Sequence, residues 1–304
     1  MLYYQTKVEL GMCTTGGQPI SPEQFKEQQR QMWDNVAMGW QSWWQTFERG
    51  AQKVSDMIVE MAEIKPGDKV LDIATGIGEP AITAARKVKP NGKVVATDIS
   101  AQMLAIARAR ARSLGLDNVM EFKETDAENL NLNIPESTKF DAILSRWGLM
   151  FLPNLRASLL KFKDRMVAGG RISTAVWSTP AKVPLLDVSF STVRKELNLP
   201  PPPPGTIGPF ALADSESLKR SFIDAGFKDI RMKTMMATFS FDSPGSYTKF
   251  NQDIVAPIHV MLAKETEERK MQVWNLVTDA ALDYADSHGR VSMDNEVIFI
   301  VGKN

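Results

Sequence analysis

The segment Lys69 to Gly78 (KVLDIATGIG) limits what this chain can fold into more than any other part of it. A short apolar run ends in a loop with glycines at alternate positions, and Pro80 follows where a helix can open without needing its N–H. Ile82, Ala85 and Val88 give that helix an inward face, so the unit reads as strand, glycine loop, helix. Asn91-Gly92 then turns into a second strand, Lys93 to Thr97, that ends at Asp98, and Ser100 can cap a helix from Ala101 to Leu114. The alternation continues with strands at Val119 to Glu124 and Phe140 to Ser145, a helix near Ala157 to Val167, and a strand at Arg171 to Trp177. β-α steps at this spacing predict a doubly wound α/β fold with a mostly parallel sheet, whose ligand sits at the carboxyl ends of the strands.

The flanking segments read as covers. From Glu23 to about Glu63 the pattern is helical, with Trp33, Val36, Trp40, Trp44 and Phe47 on one face, and residues 1–50 are expected to form a helical cap on an α/β domain of residues 51–304. The connection Ser178 to Ala213 holds five consecutive prolines, Pro200 to Pro204, and is too long for an ordinary loop, which predicts a lid. Asp214 to Ala225 reads as a helix ended by Gly226, followed by a strand around Ile230 to Phe241. A helical insertion at Pro244 to Asp286 is a further lid element, and Glu296 to Val301 closes the sheet.

Composition removes several classes of function. The 36 Lys and Arg against 36 Asp and Glu leave no net charge, which argues against nucleic acid held through phosphate contacts. Arg108, Arg110 and Arg112, the densest basic run, are expected to be a solvated helix surface. A lone cysteine, Cys13, cannot form an internal disulfide, and with only His259 and His288 no Cys/His zinc cluster can be assembled, so no metal is expected. Tyr3, Tyr4, Lys7 and Glu9 are not the apolar core of a secretory signal, and a cytoplasmic location is the expectation. The charge-free stretch Leu197 to Ala213 is broken by prolines, so no membrane insertion is expected, and charge-free Asn35 to Phe47 is expected to pack on the sheet.

The glycine loop admits two readings. Gly76 to Ala81 fits G-x-G-x-x-A and Asp98 lies 20 residues beyond Gly78, as in a dinucleotide-dependent oxidoreductase. A pyrophosphate on a helix N-terminus wants free N–H groups and no carboxylates, yet Glu79 stands there, Pro80 removes a donor, and Asp72 adds a second negative group. A cationic ligand suits the loop better. S-adenosyl-L-methionine, with an ammonium and a sulfonium, meets that demand, while Asp98 can accept both ribose hydroxyls. Downstream, Asp126 could read an adenine edge or cap a turn.

At Val70 to Gly78, Ala96 to Ser100 (ATDIS), Thr125 to Glu128 (TDAE) and Phe140 to Phe151 (FDAILSRWGLMF), the chain resembles the class I S-adenosylmethionine-dependent methyltransferases, and within them the UbiE-like branch that acts on small molecules. Four ordered motifs lie between Val70 and Trp177. Ala74 stands where the family usually has glycine, a place alanine can fill if its φ is negative. The resemblance implies a seven-stranded, Rossmann-like sheet with Glu296 to Val301 antiparallel between strands five and six. It implies that Asp72, Ala74, Thr75, Gly76 and Gly78 hold the methionine part of the cofactor and that Asp98, with Ile99 and Met103 beside it, holds the ribose. Asp126 and Ala127 would take the adenine, and Ser145, Arg146 and Trp147 the sulfonium side, with S-adenosyl-L-homocysteine as product.

Methyl transfer chiefly demands alignment and exclusion of water, and a general base is optional. No Asn/Asp-Pro-Pro-Tyr follows the fourth strand, which points to a small organic acceptor, quinone-like or another metabolite, rather than a nucleobase or a glutamine. His259, in an otherwise apolar stretch, is the candidate base, against a structural role. Trp40, Trp44 and Trp147 are the candidate acceptor contacts, the first two against a role in the core. Arg146 could meet the methionine carboxylate, an acidic acceptor, or a partner within its own loop. A binding protein that has kept the cofactor fold without turnover is the non-enzyme alternative.

Overall fold

Strand β1 (Lys69–Ile73) is buried at every position after its first. A strand whose side chains are covered on both faces belongs in the middle of a sheet with helices on either side. It pairs in parallel with β2 (Lys93–Asp98) and β4 (Phe140–Arg146). β3 (Met120–Glu124) joins β2, and β5 (Met166–Trp177) joins β4, both in parallel. β7 (Val291–Lys303) lies antiparallel between β5 and β6 (Lys228–Phe241), so the seven strands run 3-2-1-4-5-7-6. The order reverses between β1 and β4, and there the carboxyl ends leave a crevice. The computed structural model describes residues 21–203 and 205–304; Cys13, the polar N-terminal residues Tyr3 to Glu9 and Pro204 lie outside the described residues.

Helices α2 (Ala81–Val88) and α3 (Ala101–Ser113) follow β1 and β2, and α4 (Leu155–Asp164) precedes β5. Ser100 caps α3, its Oγ accepting from the Met103 N–H at 3.0 Å. Arg108 and Arg112 are exposed, as expected, but Arg110 is not: its guanidinium lies 4.6 Å above the Trp44 ring and donates to the Ile77 carbonyl. An arginine stem can lie along apolar surface while its head finds acceptors, which spacing alone does not show.

The segment read as a proline-rich connection carries a buried helix, α5 (Pro184–Glu196), whose Leu185, Phe190 and Val193 enter the core. Pro184 occupies its first turn, where proline is tolerated. Only Pro200 to Pro203 of the proline run are described, as exposed irregular chain. After α6 (Ser215–Asp224) and β6, the second insertion is three helices, α7 (Pro244–Ile254), α8 (Ala256–Leu262) and α9 (Glu267–Ala281). Among the described residues no helix is long and apolar enough to cross a membrane.

The 40-residue helix α1 (Pro22–Met61) runs unbroken past residue 50. It opens with a capping box in which Ser21 Oγ accepts from the Gln24 N–H while Gln24 Oε1 accepts from the Ser21 N–H, satisfying two terminal donors at once. Its second half enters the main core through Ala51, Val54 and Ile58, and of Asn35 to Phe47 one face, with Val36, Ala37, Trp40 and Phe47, packs inward while Met38 is exposed. Trp43 Nε1 donates to Asp253 Oδ2 of α7 at 2.8 Å, and Gly39 lets the two backbones approach so closely that a Cβ there would sit 2.0 Å from the Asp253 carbonyl oxygen.

That approach sets the sign of a substitution. In an exposed helix Gly→Ala stabilises by ~1 kcal/mol, but Gly39→Ala must push α7 away. We expect it to destabilise the protein by about 1–3 kcal/mol, read as a lower unfolding midpoint in thermal or urea denaturation. A gain in stability would mean that the two helices are not held in this contact.

Candidate cofactor and acceptor site

The carboxyl ends of β1, β2 and β4 open into a cavity of about 220 Å³. Its floor is the glycine loop. The Gly76 N–H donates to Asp98 Oδ2 at 2.8 Å and the Ser100 N–H to Oδ1 at 2.9 Å, which fixes the carboxylate at the end of β2. Burial pushes Asp98 up to about 6 against the pull of these N–H groups. Asp72 is completely buried beneath the loop rather than in the cavity wall. Its Oδ2 accepts from the Ala81 N–H at 3.1 Å, its Oδ1 has no hydrogen-bond partner among the described residues, and burial pushes it up to about 8. Thr75 Oγ1 is also buried without a partner among the described residues.

Ala74 does not have the negative φ expected of it: φ is +55°, in the left-handed region that costs a non-glycine residue ~1–2 kcal/mol. Gly148 makes room for it, since a Cβ on Gly148 would lie 2.6 Å from that of Ala74. Trp147, just before it, also has a positive φ of 58°, which turns its ring onto Trp177 with centroids 4.2 Å apart.

Of the residues assigned to the cofactor, Ala74, Thr75, Gly76, Asp98, Ile99, Met103, Asp126, Ala127, Arg146 and Trp147 line the cavity. Asp72, Gly78 and Ser145 lie behind that lining, and Ser145 Oγ donates to the Ile73 carbonyl at 2.9 Å. Asp126 combines both of its readings: it lines the cavity and caps its own turn, Oδ1 accepting from the Glu128 N–H. Lys26 of α1 sits between Asp126 and Glu128, and Ser100 Oγ donates to Asp34 of α1, so the helix straps the crevice.

Arg146 finds its partner outside its own loop. It is buried and forms a two-pronged pair with Glu48 of α1, Nη2 to Oε1 at 2.6 Å and Nη1 to Oε2 at 2.9 Å, with Ser55 Oγ accepting from Nη1 at 2.8 Å. Glu48 and Ser55 were missed in the sequence, although they interrupt the apolar stripe of Trp44, Ala51 and Ile58 and so already stood on the buried face.

Trp40 and Trp147 line the cavity, joined by Trp33, Phe47, Trp177 and Phe250. Trp44 does not: it packs in a separate cluster with Ile77 and Met103, under Arg110. His259 is corrected as well. It is exposed on α8, outside the lining, with Nε2 2.6 Å from the Gln252 carbonyl, because its turn of α8 faces away from the sheet. The titratable group sequence reasoning placed at the loop without giving it chemistry is Glu79, which lines the cavity.

The group that fits here is a cation-bearing one. Asp72, Glu79 and Asp98 surround the loop, while Lys26 is held by Asp126 and Glu128 and Arg146 by Glu48. A pyrophosphate would meet the carboxylates of Glu79 and Asp98 with no free cation beside them, whereas an ammonium and a sulfonium suit that field.

Comparison with known proteins agrees. A family profile described as a methyltransferase domain matches residues 64–199. The chain is 30% identical to the ubiquinone/menaquinone biosynthesis C-methyltransferase UbiE of Ectopseudomonas mendocina over 186 residues, which covers 58% of this chain and 72% of that one. It is 28% identical to the demethylmenaquinone methyltransferase of Symbiobacterium thermophilum over 54% of this chain and 65% of the relative, just under two thirds of its length. Among solved structures, phosphoethanolamine N-methyltransferase 2 of Haemonchus contortus, in complex with phosphomonomethylethanolamine and S-adenosylhomocysteine, superposes with a TM-score of 0.51 at 18% identity, covering 85% of this chain and 56% of that one. The YcgJ protein of Bacillus subtilis gives 0.51 at 17% identity, covering 83% and 98%. At these identities the structures establish the fold alone.

Two measurements test the site. Asp98→Ala removes the acceptor at the end of β2, and loss of charge-assisted bonds worth ~1.5–3 kcal/mol each should weaken S-adenosylhomocysteine binding at least ~10-fold in calorimetry, while wild type binds neither NAD nor NADP measurably. Unchanged affinity would place the ribose elsewhere. The second uses pH. Because burial raises Asp72 from 3.8 to about 8, its contribution to stability is fully present below its unfolded value and is lost as pH rises through the folded one. Stability of the ligand-free protein should therefore fall between about pH 4 and 8, and Asp72→Asn should flatten part of that slope in urea titrations.

Proposed function

The chain belongs to the class I S-adenosylmethionine-dependent methyltransferases, in their UbiE-like branch, and from that premise we propose that its acceptor is an uncharged, hydroxylated aromatic ring of the quinol type. S-adenosylmethionine, when bound, supplies a methyl group on a positively charged sulfur, and that methyl leaves without the electrons of its carbon–sulfur bond and joins an electron pair of the acceptor. The protein itself has to hold the two reactants in line and keep water out.

The observation that carries the proposal is the character of the walls. Trp147 stacks on Trp177 at 4.2 Å, Phe47 stands edge-on to Trp147 at 5.4 Å and to Trp40 at 4.9 Å, and Phe250 lies nearly parallel to Phe47. Flat aromatic faces at these separations favour a flat aromatic guest. The cations of the lining are already paired, Lys26 with Asp126 and Glu128, and Arg146 with Glu48. A phosphorylated amine of the kind bound by the Haemonchus enzyme would find no free positive group there, while the UbiE relatives are named for ubiquinone and menaquinone biosynthesis. The three covering segments supply much of this wall: α1 through Trp40, residues 178–213 through Leu185 and Leu186, and residues 244–286 through Phe250 and Ile254. Acceptor choice in this reading belongs to them, and the cofactor to the sheet.

The test is to incubate the protein with methyl-labelled cofactor and a panel of hydroquinones and phenols, with phosphoethanolamine as the contrast. Label should pass to a hydroxylated ring. Label passing to phosphoethanolamine alone would overturn the proposal. Trp40→Ala should raise the acceptor KM about two- to tenfold, the worth of one aromatic contact, with little change in S-adenosylhomocysteine affinity.

A further inference from the structure

Four carboxylates line the cavity, and three of them are committed. Asp126 and Glu128 share Lys26, and Asp98 accepts two backbone N–H groups. Glu79 is different. It is 96% buried, being 4% exposed, and has no cationic partner within ion-pair distance among the described residues. Both hydrogen bonds it accepts fall on one oxygen: Oε2 receives the Thr83 hydroxyl at 2.7 Å and the Thr83 N–H at 3.3 Å. Thr83 Oγ1 in turn accepts from Gln52 Nε2 of α1 at 3.0 Å, so the carboxyl is held from two helices while Oε1 accepts no hydrogen bond among the described residues. Glu79 lines the same cavity as Trp40, Phe47 and Trp147.

We propose that Glu79 takes the hydroxyl proton of the acceptor, which makes it the general base of the reaction. The inference rests on the reading of the acceptor as a hydroxylated aromatic ring. In the step, the acceptor O–H bond breaks, its electron pair stays on the acceptor as a phenolate, and the proton forms a new O–H bond on the Glu79 carboxylate. One negative charge disappears from the side chain and one appears on the ring, where it strengthens the nucleophile. The proton leaves to solvent after the product does, which restores the carboxylate.

The surroundings tune that carboxyl for the task. Burial, and then the charge of Glu48 on α1, raise its pKa, while Arg146 on β4, Thr83 on its own helix and Arg110 on α3 pull it down; Asp72, also raised by burial, lies on β1 below it. Desolvation that raises a carboxyl's pKa makes its ionised form a stronger base than that of an exposed glutamate.

Glu79→Gln keeps the shape and removes the proton acceptor. With a hydroquinone that wild type methylates, the variant should lose about 10²–10⁴ in kcat and the acid limb of its kcat/KM profile, while S-adenosylhomocysteine affinity by calorimetry falls by no more than about fivefold, the worth of one charge beside a helix end. Infrared difference spectra of wild type against Glu79→Gln should show a protonated-carboxyl band that disappears at the pH of that limb. Glu79→Asp should keep the limb at reduced rate. Should Glu79→Gln not fold, Thr83→Val removes a bond that favours the ionised form, and the limb should move to higher pH. A variant with an unchanged pH profile, or one whose defect is a large loss of S-adenosylhomocysteine affinity, would overturn the proposal and assign Glu79 to the cofactor. If wild type methylates no hydroxylated ring, the acceptor reading falls and this proposal with it, whereas an active wild type beside an equally active Glu79→Gln refutes the base alone.

Discussion

The pair between Arg146 and Glu48 fastens together three things that would otherwise be independent. Arg146 ends β4 at the switch point of the sheet, and Glu48 belongs to the helix that covers it. A fully buried guanidinium is tolerable only when its donors are answered, and here the carboxylate takes two and Ser55 another. Removing either partner leaves a bare charge in the core at a cost of ~3–5 kcal/mol, so the helix has one permitted placement across the strand ends. The same guanidinium lies near the rings of Phe47 and Trp147, so the aromatic wall is positioned by it as well. It also acts on the pKa of Asp72 and Glu79 from one side, which links the charge state of the site to the docking of α1.

Against this stands a site made of groups that the fold does not favour. Asp72, Glu79 and Asp98 are carboxyls whose burial raises their pKa, and Ala74 and Trp147 occupy left-handed backbone. Two such residues at ~1–2 kcal/mol each are a visible fraction of a typical domain stability of ~5–15 kcal/mol. The sheet can carry that load because β1, β4 and most of β7 are buried on both faces. At the strand ends a ligand with positive charge relieves the electrostatic part of that load.

How much of this was legible follows from the range of each interaction. The glycine loop, Asp98 and the strand order at the crevice depend on contacts between neighbours in the chain or on the handedness of β-α steps, and both leave a local pattern. The α5 helix was hidden because the proline run that follows it, Pro200 to Pro204, marked the whole connection as irregular, although Pro184 stands in a first turn where proline is tolerated. His259 looked chemical because it interrupts an apolar run, but an exposed turn of a short helix gives the same pattern. The Glu48 to Arg146 pair joins residues 98 apart, and nothing local announces it except a polar residue on a buried stripe. The sign of φ at Ala74 was equally invisible, because the room for its Cβ comes from the missing side chain of Gly148, in the loop after β4.

The geometry of α1 also explains how cofactor and acceptor come to share one cover. Lys26 and Asp34 near its start touch the loops after β3 and β2, Trp40 and Phe47 form wall further on, Glu48 holds Arg146, and Ala51 to Ile58 are core. A helix rises ~1.5 Å per residue, so the stretch from Lys26 to Glu48 spans ~33 Å of a single unbroken rod. Such a rod, pinned at its far end in the core and by the buried pair, cannot swing away from Asp126 without dragging Trp40 and Phe47 with it. The Lys26 end of the crevice and the aromatic wall formed by Trp40 and Phe47 are therefore settings of the same element.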